Sequence, residues 1–313
     1  MNLIDSNVRP TFGGHEKFVF RHGWLKKGVD AVSSDPTIFN RDDGLVVLGV
    51  GKNMVRSIRH WCLATELLEN VRGTQSRGLQ LTQLGQRLVA EGGWDPYLED
   101  PGTLWLLHWQ LFSNRRRGLV CYLTFSSYFE TEFTKKQLVG FITRHLERQG
   151  ITTTPALIES DVDCCLRTYV PPTRSKSLGI SEEGLDCPLS ELDLLAFVTD
   201  DNVYRFDIGP KVTLPTAVFG YALMKFLSDI ARGRRTVAVD ECIYHADSPG
   251  QAFKLDENSV IEHLEALDTL SEGRVRLQET AGLRQLYLHE IDEGWWRDAP
   301  LEMLGRYYER FHD

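Results

Sequence analysis

Residues 51–66 read GKNMVRSIRHWCLATE and predict an amphipathic helix with a basic face. At about 100° per residue, one broad face collects the apolar side chains of Met54, Val55, Ile58, Trp61 and Cys62. A narrow stripe on the opposite side carries Lys52, Arg56 and Arg59, with Asn53 and His60 at its edge. The apolar face is expected to pack inward and the basic stripe to reach the phosphates and major groove of DNA. The alternative is a solvated helix face without a ligand.

The segments on either side of this helix predict a winged helix-turn-helix. Upstream, Asn40 can cap a short helix with Asp43 three residues on, and the apolar side of that helix would be Leu45, Val46 and Leu48. Downstream, residues 71–81 read VRGTQSRGLQL and predict two strands around a turn, a wing that carries Arg72 and Arg77. A further helix is expected to begin after Thr82. Helix, helix, hairpin and helix is the winged-helix order.

The remainder of the chain is predicted to be mainly helical. Helices are expected at residues 103–112, 134–149, 155–170, 215–230, 256–270 and 295–311, and strand pairs within 193–206 and 274–288. The predicted fold class is therefore mainly α with small β-hairpins, an α+β protein. It would consist of an N-terminal winged-helix DNA-binding domain (residues 1–95), a helical middle region (96–172) and a C-terminal winged-helix-like domain (173–313).

The helix predicted at residues 256–270 differs from the basic helix in its charge. It carries four acidic side chains, Glu257, Glu262, Glu265 and Asp268. These would repel phosphate. The C-terminal domain is therefore interpreted as a packing or dimerisation unit, and a homodimer is expected.

The charge distribution along the chain singles out the same basic segment. The 313 residues carry a net charge of −9, which as a total does not indicate a nucleic-acid-binding protein. Residues 51–87, however, contain six basic and two acidic side chains. Positive charge is thus concentrated around the predicted helix and wing, which favours a local DNA contact over a uniformly basic surface.

Cysteine usage and hydropathy predict a cytoplasmic protein. The six cysteines form no CxxC pair, which favours reduced and mostly buried thiols over a zinc site or a disulfide framework. No run approaches the roughly 18 apolar residues of a membrane span. Residues 1–10 lack the apolar core of a secretory signal, so none is expected.

A set of residues near the N-terminus resembles a known bacterial family. The set comprises Phe12-Gly13-Gly14-His15-Glu16, Phe18, Arg21, Trp24, Lys26, Asp42-Asp43, Gly49-Val50-Gly51-Lys52-Asn53-Met54 and Ile58-Arg59-His60-Trp61. The DCPLSEL stretch at residues 186–192 and Leu214-Pro215 also match. With these residues the chain resembles, over nearly its whole length, the SspB-like family of bacterial DNA phosphorothioate modification systems, long catalogued as a domain of unknown function.

The resemblance implies a DNA-binding, strand-nicking component of a single-stranded DNA phosphorothioate modification and antiphage defence system. It implies double-stranded DNA as a partner, together with the cysteine desulfurase, the ATP-pyrophosphatase-like protein and the ATPase subunits of such systems. Nicking would be phosphodiester hydrolysis. That reaction usually needs a divalent metal held by carboxylates, here Mg²⁺ or Mn²⁺, an activated water and cationic stabilisation of the developing charge.

His15-Glu16, preceded by two glycines, is the best candidate for that chemistry. The glycines would let the backbone approach a phosphate closely. His15 would act as base or ligand, Glu16 as ligand, and Arg21 or Lys26 as the residue that stabilises charge. Adjacent side chains on an extended segment point to opposite faces, however. In the alternative interpretation, Glu16 pairs with Arg21 and His15 fixes the entry turn of the domain.

Other charged clusters have simpler interpretations. Asp42-Asp43 is expected to stabilise a helix N-terminus, and Asp161-Val162-Asp163 to lie on an exposed helix face. Arg115-Arg116-Arg117 can neutralise a helix C-terminus or contact a DNA backbone.

Known nuclease signatures are not evident, and Gly49-Val50-Gly51-Lys52 lacks the spacing of a phosphate-binding loop. Two alternatives to a nickase therefore stay open: a non-catalytic winged-helix adaptor that positions partner enzymes on DNA, needing no metal, and a transcriptional repressor.

Overall fold

The computed structural model of the protein describes residues 9–71, 78–171, 187–198, 201–231, 233–280 and 282–310. The described residues are mainly helical, with small antiparallel sheets. They divide into two units. The N-terminal unit comprises residues 1–124 and 128–206, and the C-terminal unit residues 125–127 and 207–313. The predicted α+β class, mainly helical with small antiparallel strands, is confirmed.

The N-terminal unit begins with three helices, a hairpin and a fourth helix. The helices are α1 (Trp24–Ser34), α2 (Gly44–Leu48), α3 (Lys52–Ala64) and α4 (Gln83–Leu88), and the strands are β1 (Leu68–Asn70) and β2 (Leu79–Leu81). The two strands pair antiparallel, with Leu68 opposite Leu81. The hydroxyl of Thr82 accepts a hydrogen bond from the amide of Gly85 at 2.9 Å, so Thr82 caps α4 as predicted.

The prediction for α2 was wrong in two respects. Asn40 does not cap this helix but lies in a 3₁₀ turn over Ile38–Asn40, and the Asp43 side chain bonds to Arg41. Leu45 and Val46 face solvent, Val46 being 73% exposed, and Leu48 alone of the predicted apolar set is buried. A five-residue helix has little more than one turn, so it turns few side chains toward the core.

The remainder of the N-terminal unit combines long helices with a small sheet. The elements are α5 (Pro101–Ser113), α6 (Leu119–Ser126), β3 (Glu132–Phe133), α7 (Lys135–Arg148), α8 (Pro155–Tyr169), β4 (Leu195–Val198) and β5 (Val203–Phe206). The strands form an antiparallel sheet in the order β3-β5-β4. Every residue of α5 from Gly102 to Phe112 is buried, which confirms the predicted buried helix. Strand β3 was not predicted because two residues carry no alternating pattern.

The C-terminal unit contains five helices and a sheet among its described residues. They are α9 (Thr216–Ile230), β6 (Thr236–Ala238), α10 (Val239–Tyr244), α11 (Pro249–Ala252), α12 (Glu257–Leu270), β7 (Val275–Thr280), β8 (Leu283–Leu288) and α13 (Glu293–Glu309). The strand order is β6-β8-β7, and α13 packs on α9. The predicted helix and hairpin at residues 256–288 are present. The winged-helix assignments and the division of the chain at residues 95 and 172 stay predictions.

Thiols and hydropathy give two further observations on the described residues. All six cysteines are free and buried, as predicted. None of the helices in the described ranges combines the length and the apolar composition that crossing a membrane requires.

Candidate nucleic-acid interface

Helix α3 presents cationic side chains outward and buries its opposite side. Lys52, Asn53 and Arg56 are exposed, while Arg59 is half-buried. The predicted apolar face is buried at Val55, Ile58, Trp61 and Cys62, with Met54 half-buried. The sequence therefore placed the two faces of this helix correctly along most of its length.

His60 departs from the predicted edge of the stripe, because its ring lies inside the N-terminal unit. It is 5% exposed, and its ring packs edge-on against His15 with the centroids 6.0 Å apart. Within the described residues its Nδ1 has no hydrogen-bond partner. Burial lowers the pKa of His60 to about 3, and the positive charges of Arg117 and Arg59 contribute, so the imidazole is neutral at physiological pH.

His15 forms the centre of a buried hydrogen-bond network. Its Nε2 lies 2.8 Å from a carboxylate oxygen of Asp161, and its Nδ1 accepts from the amide of Lys17 at 3.0 Å. The amide of Gly13 donates to the same carboxylate at 2.9 Å. Because Nδ1 is an acceptor, the proton of the neutral ring lies on Nε2 and points at Asp161. Both ring nitrogens of His15 are therefore engaged.

Asp161 was expected on an exposed face of α8, and that expectation was wrong. The residue is 9% exposed because it ties the Gly13–His15 turn to the helix. A sequence gives no signal for this contact, since the partners are separated by 146 positions. Asp163, two residues on, does face solvent and bonds to Lys135 and Arg167.

The two glycines before His15 also have structural roles. Gly13 has φ +69°, a conformation that favours glycine. A Cβ on Gly14 would approach Nδ1 of His60 to 2.5 Å. Close packing against His60 therefore requires a glycine at position 14 whether or not a phosphate binds nearby.

The structure brings Glu16 to the basic helix and not to Arg21. A carboxylate oxygen of Glu16 lies 3.3 Å from Nη1 of Arg56. The guanidinium of Arg21 instead packs over the rings of Phe18 and Trp24, 5.8 and 5.3 Å from their centroids. The alternative in which Glu16 pairs with Arg21 was therefore wrong, and one predicted catalytic residue contacts one predicted DNA-binding residue.

A small cavity lies beside His15 and His60. Its volume is about 20 Å³, room for roughly one water-sized oxygen. Arg117 and Asp161 contribute to its lining, together with Thr11, Trp61 and the N-terminal residues of α6. Sequence reasoning named Arg117 only as part of the Arg115-Arg116-Arg117 run, because three consecutive arginines carry no information about which of them lines a cavity.

The predicted metal does not fit the described residues. They bring no group of three His, Cys, Asp or Glu side chains together as ligands. The nitrogens of His15 are engaged, and Glu16 pairs with Arg56. Arg72 and Arg77, predicted on the wing, lie outside the described residues.

These features define a class: a mixed helical and antiparallel-strand protein with a cationic helix face followed by a short hairpin. The chain belongs to the family described as "Protein of unknown function (DUF4007)", which it matches over residues 12–308. A magnesium-ion-bound crystal structure of SspB is similar, with 32% identity and a TM-score of 0.86, covering 97% of this chain and 91% of the other. A second SspB crystal structure has 31% identity and a TM-score of 0.85, covering 96% and 89%. No curated protein matches the chain. The resemblance to the SspB-like family is confirmed.

Proposed function

We propose that the protein binds double-stranded DNA through α3 and is the strand-nicking component of a cytoplasmic single-stranded DNA phosphorothioate modification and antiphage defence system. The likeness to SspB over nearly the whole chain supports the system. The observation that carries the DNA contact is the exposure of Lys52, Asn53 and Arg56 on a helix whose other side is buried. Exposed cations on one helix face suit a row of phosphates.

The order of elements supports a winged helix as the DNA-binding domain. Helices α2 and α3, the β1–β2 hairpin and α4 follow one another in that order. Residues 71–78 link the two strands in the sequence, and the proposed wing with Arg72 and Arg77 falls there. In this proposal α3 enters the major groove and the wing contacts the adjacent backbone.

The proposed catalytic residues are His15, Glu16 and Arg21. Both nitrogens of His15 are engaged, and Arg21 has no hydrogen bond to His15 or Glu16 within the described residues. These contacts favour the second candidate function, a non-catalytic adaptor that positions modification enzymes on DNA. The resemblance to the SspB-like family therefore supports the nicking role, whereas the contacts of His15, Glu16 and Arg21 support the adaptor role. A transcriptional repressor would use the same helix without partner enzymes.

The proposed assembly includes a homodimer and the other phosphorothioation proteins. The cysteine desulfurase, the ATP-pyrophosphatase-like protein and the ATPase subunits are the proposed partners. Light scattering on the purified protein tests the dimer, which would have twice the 35.7 kDa mass of the chain.

The DNA contact is tested by the salt dependence of binding. Replacing Lys52 and Arg56 together by alanine should reduce the slope of log affinity against log salt by about 1.8, because each lost phosphate contact contributes about 0.9. Fluorescence anisotropy with a labelled duplex measures it. The control is Arg148→Gln, which removes an exposed arginine from α7. A slope unchanged from the parent protein would reject α3 as the DNA-binding element.

Nicking is tested with supercoiled plasmid. The purified protein with Mg²⁺ or Mn²⁺ should convert supercoils to open circles, and His15→Gln and Glu16→Gln should abolish the conversion while duplex binding persists. Magnesium is included because an SspB crystal structure contains it. Supercoils that persist with every metal, with binding intact, would replace the nickase by the adaptor. Open circles formed equally by both variants would point to a contaminating nuclease.

A further inference from the structure

Arg59 and Arg117 are two arginines whose guanidinium groups are partly withdrawn from water, and the positive charge of Arg59 acts on Arg117. Arg59 lies on α3, and Arg117 lies just before α6. Burial, and then the positive charges of Arg59 and Arg116, lower the pKa of Arg117 to about 10. Burial also lowers the pKa of Arg59. Each group is therefore held where its own charge is disfavoured.

Neither guanidinium has an acceptor among the described residues, in ion pairs or in hydrogen bonds. Several other arginines do have carboxylate partners, such as Arg41 with Asp35 and Asp43, and Arg234 with Glu241. A partly desolvated cation without a partner is costly, and two neighbouring cations add repulsion. An anion between them would remove both penalties.

The surroundings of Arg117 supply a place for such an anion. Arg117 lines the small cavity with His60, whose Nδ1 lacks a partner although the ring is nine-tenths buried. The cavity admits roughly one oxygen atom. Asp161 also lines the cavity, but its carboxylate already accepts from His15 and Gly13. An oxyanion could thus place one oxygen inside, near His60 and Arg117, and leave its other oxygens for the guanidiniums of Arg117 and of Arg59, which lies on α3 outside the cavity lining. Since the pKa of His60 is lowered to about 3, the ring would act as a neutral hydrogen-bond donor.

We propose that Arg59, Arg117 and His60 form a binding site for a single phosphate group of DNA. This inference rests on the proposed DNA-binding function and adds a residue, Arg117, that lies outside α3. Two guanidiniums offer the planar donor pairs that suit tetrahedral oxyanions. An internal phosphodiester and the terminal phosphate at a nick share this chemistry, and the DNA substrates below separate the two.

The site is tested first with inorganic phosphate. At constant ionic strength, replacing chloride by phosphate should raise the melting temperature of the parent protein more than that of Arg117→Gln. Phosphate also stabilises proteins generally, so the difference between variants is the readout. Arg148→Gln and Lys52→Ala/Arg56→Ala should respond as the parent does. An equal response of Arg117→Gln and the parent would overturn the site.

The melting temperature in chloride serves as a control that Arg117→Gln folds. Because Arg117 is partly desolvated and has no acceptor within the part of the chain that the structure describes, Arg117→Gln should melt no lower than the parent protein in chloride. Arg117→Lys keeps the charge without the planar donor pair, and it should bind phosphate more weakly than the parent. A lysine variant indistinguishable from the parent would reduce the site to a diffuse positive potential and overturn the proposal.

The DNA arm uses three duplexes of one sequence: intact, nicked with a 5′-hydroxyl, and nicked with a 5′-phosphate. Arg59→Gln and Arg117→Gln should each weaken binding about tenfold. A loss common to all three duplexes identifies an internal phosphodiester, and a loss confined to the 5′-phosphate duplex identifies a strand end. Binding of all three by Arg117→Gln at the parent's affinity would contradict the inference.

If Arg59 and Arg117 bind the same phosphate, the effects of replacing them on the salt dependence of DNA binding should not add. The double variant should lower the salt slope by about 0.9, the value for one phosphate, and a decrease of about 1.8 would mean two separate contacts and overturn the shared site. If the parent protein shows no specific response to phosphate but still binds DNA through Lys52 and Arg56, this inference alone is rejected. A specific phosphate response without DNA binding would reject the proposed function while supporting the oxyanion site.

Discussion

At the scale of single residues, the contact between His15 and Asp161 organises the N-terminal segment. The carboxylate accepts from the His15 ring and from the amide of Gly13, so one side chain of α8 fixes both the backbone and the ring of the turn. Asp161 is therefore a structural anchor for the residues proposed to be catalytic. The pair resembles the histidine–carboxylate pairs that orient a ring in many active sites.

Replacing Asp161 by alanine should destabilise the N-terminal unit by about 3 kcal/mol, because a buried ring N–H and a buried amide both lose their acceptor. Urea unfolding followed by tryptophan fluorescence measures the change. Asp163→Ala is the matched control on the same helix; its carboxylate bonds to Lys135 and Arg167 in contact with solvent, and it should lose at most about 1 kcal/mol. Equal losses would show that burial of Asp161 has no energetic role.

At the scale of elements, the start of α4 is held by hydrogen bonds against Leu67, the residue before β1. The hydroxyl of Thr82 caps the helix, and the amide of Thr82 donates to the carbonyl of Leu67 at 3.1 Å. A Cβ on Gly85 would press on that carbonyl well inside van der Waals contact. The hairpin and α4 therefore meet at a point where only glycine fits.

Gly85→Ala should accordingly destabilise the protein by about 2 kcal/mol, although alanine is the better helix former, since overpacking against backbone outweighs propensity. Gly140→Ala, within α7, meets only the flexible end of Arg144 at 3.3 Å and should be neutral or stabilising by up to about 1 kcal/mol. Thermal unfolding compares the two. A stabilising effect at position 85 would mean that α4 is not held against Leu67.

The elements also show what the sequence could and could not supply. The periodicity of α3 predicted its buried face because one turn after another repeats the same pattern. It misplaced His60 because the angle of a residue on a helix does not reveal that a distant segment, here the turn with Gly14 and His15, covers that edge of the helix. Helix α2 was misjudged because apolar residues imply a buried face only if the helix is long enough to turn them toward a core, and α2 has five residues.

At the scale of the whole molecule, charge is divided between the units. Residues 207–313 hold 19 acidic and 12 basic side chains, whereas the basic segment at residues 51–87 belongs to the N-terminal unit. DNA contact through the C-terminal unit would meet repulsion, which favours a protein contact for that unit. The sequence predicted this asymmetry because charge counts need no coordinates. Pairings such as Glu16 with Arg56 and His15 with Asp161 depend on tertiary packing and could not be predicted.

The burial of all six thiols has a practical consequence for following this protein in solution. A maleimide dye reacts with accessible thiolates, and burial raises the pKa of the Cys187 thiol to about 12. The native thiols of the folded chain are therefore expected not to react with such dyes. A cysteine introduced at an exposed position would be the only one labelled. Fluorophores could then be placed on either unit without first removing the native cysteines, and the distance between the units could be followed as DNA is added.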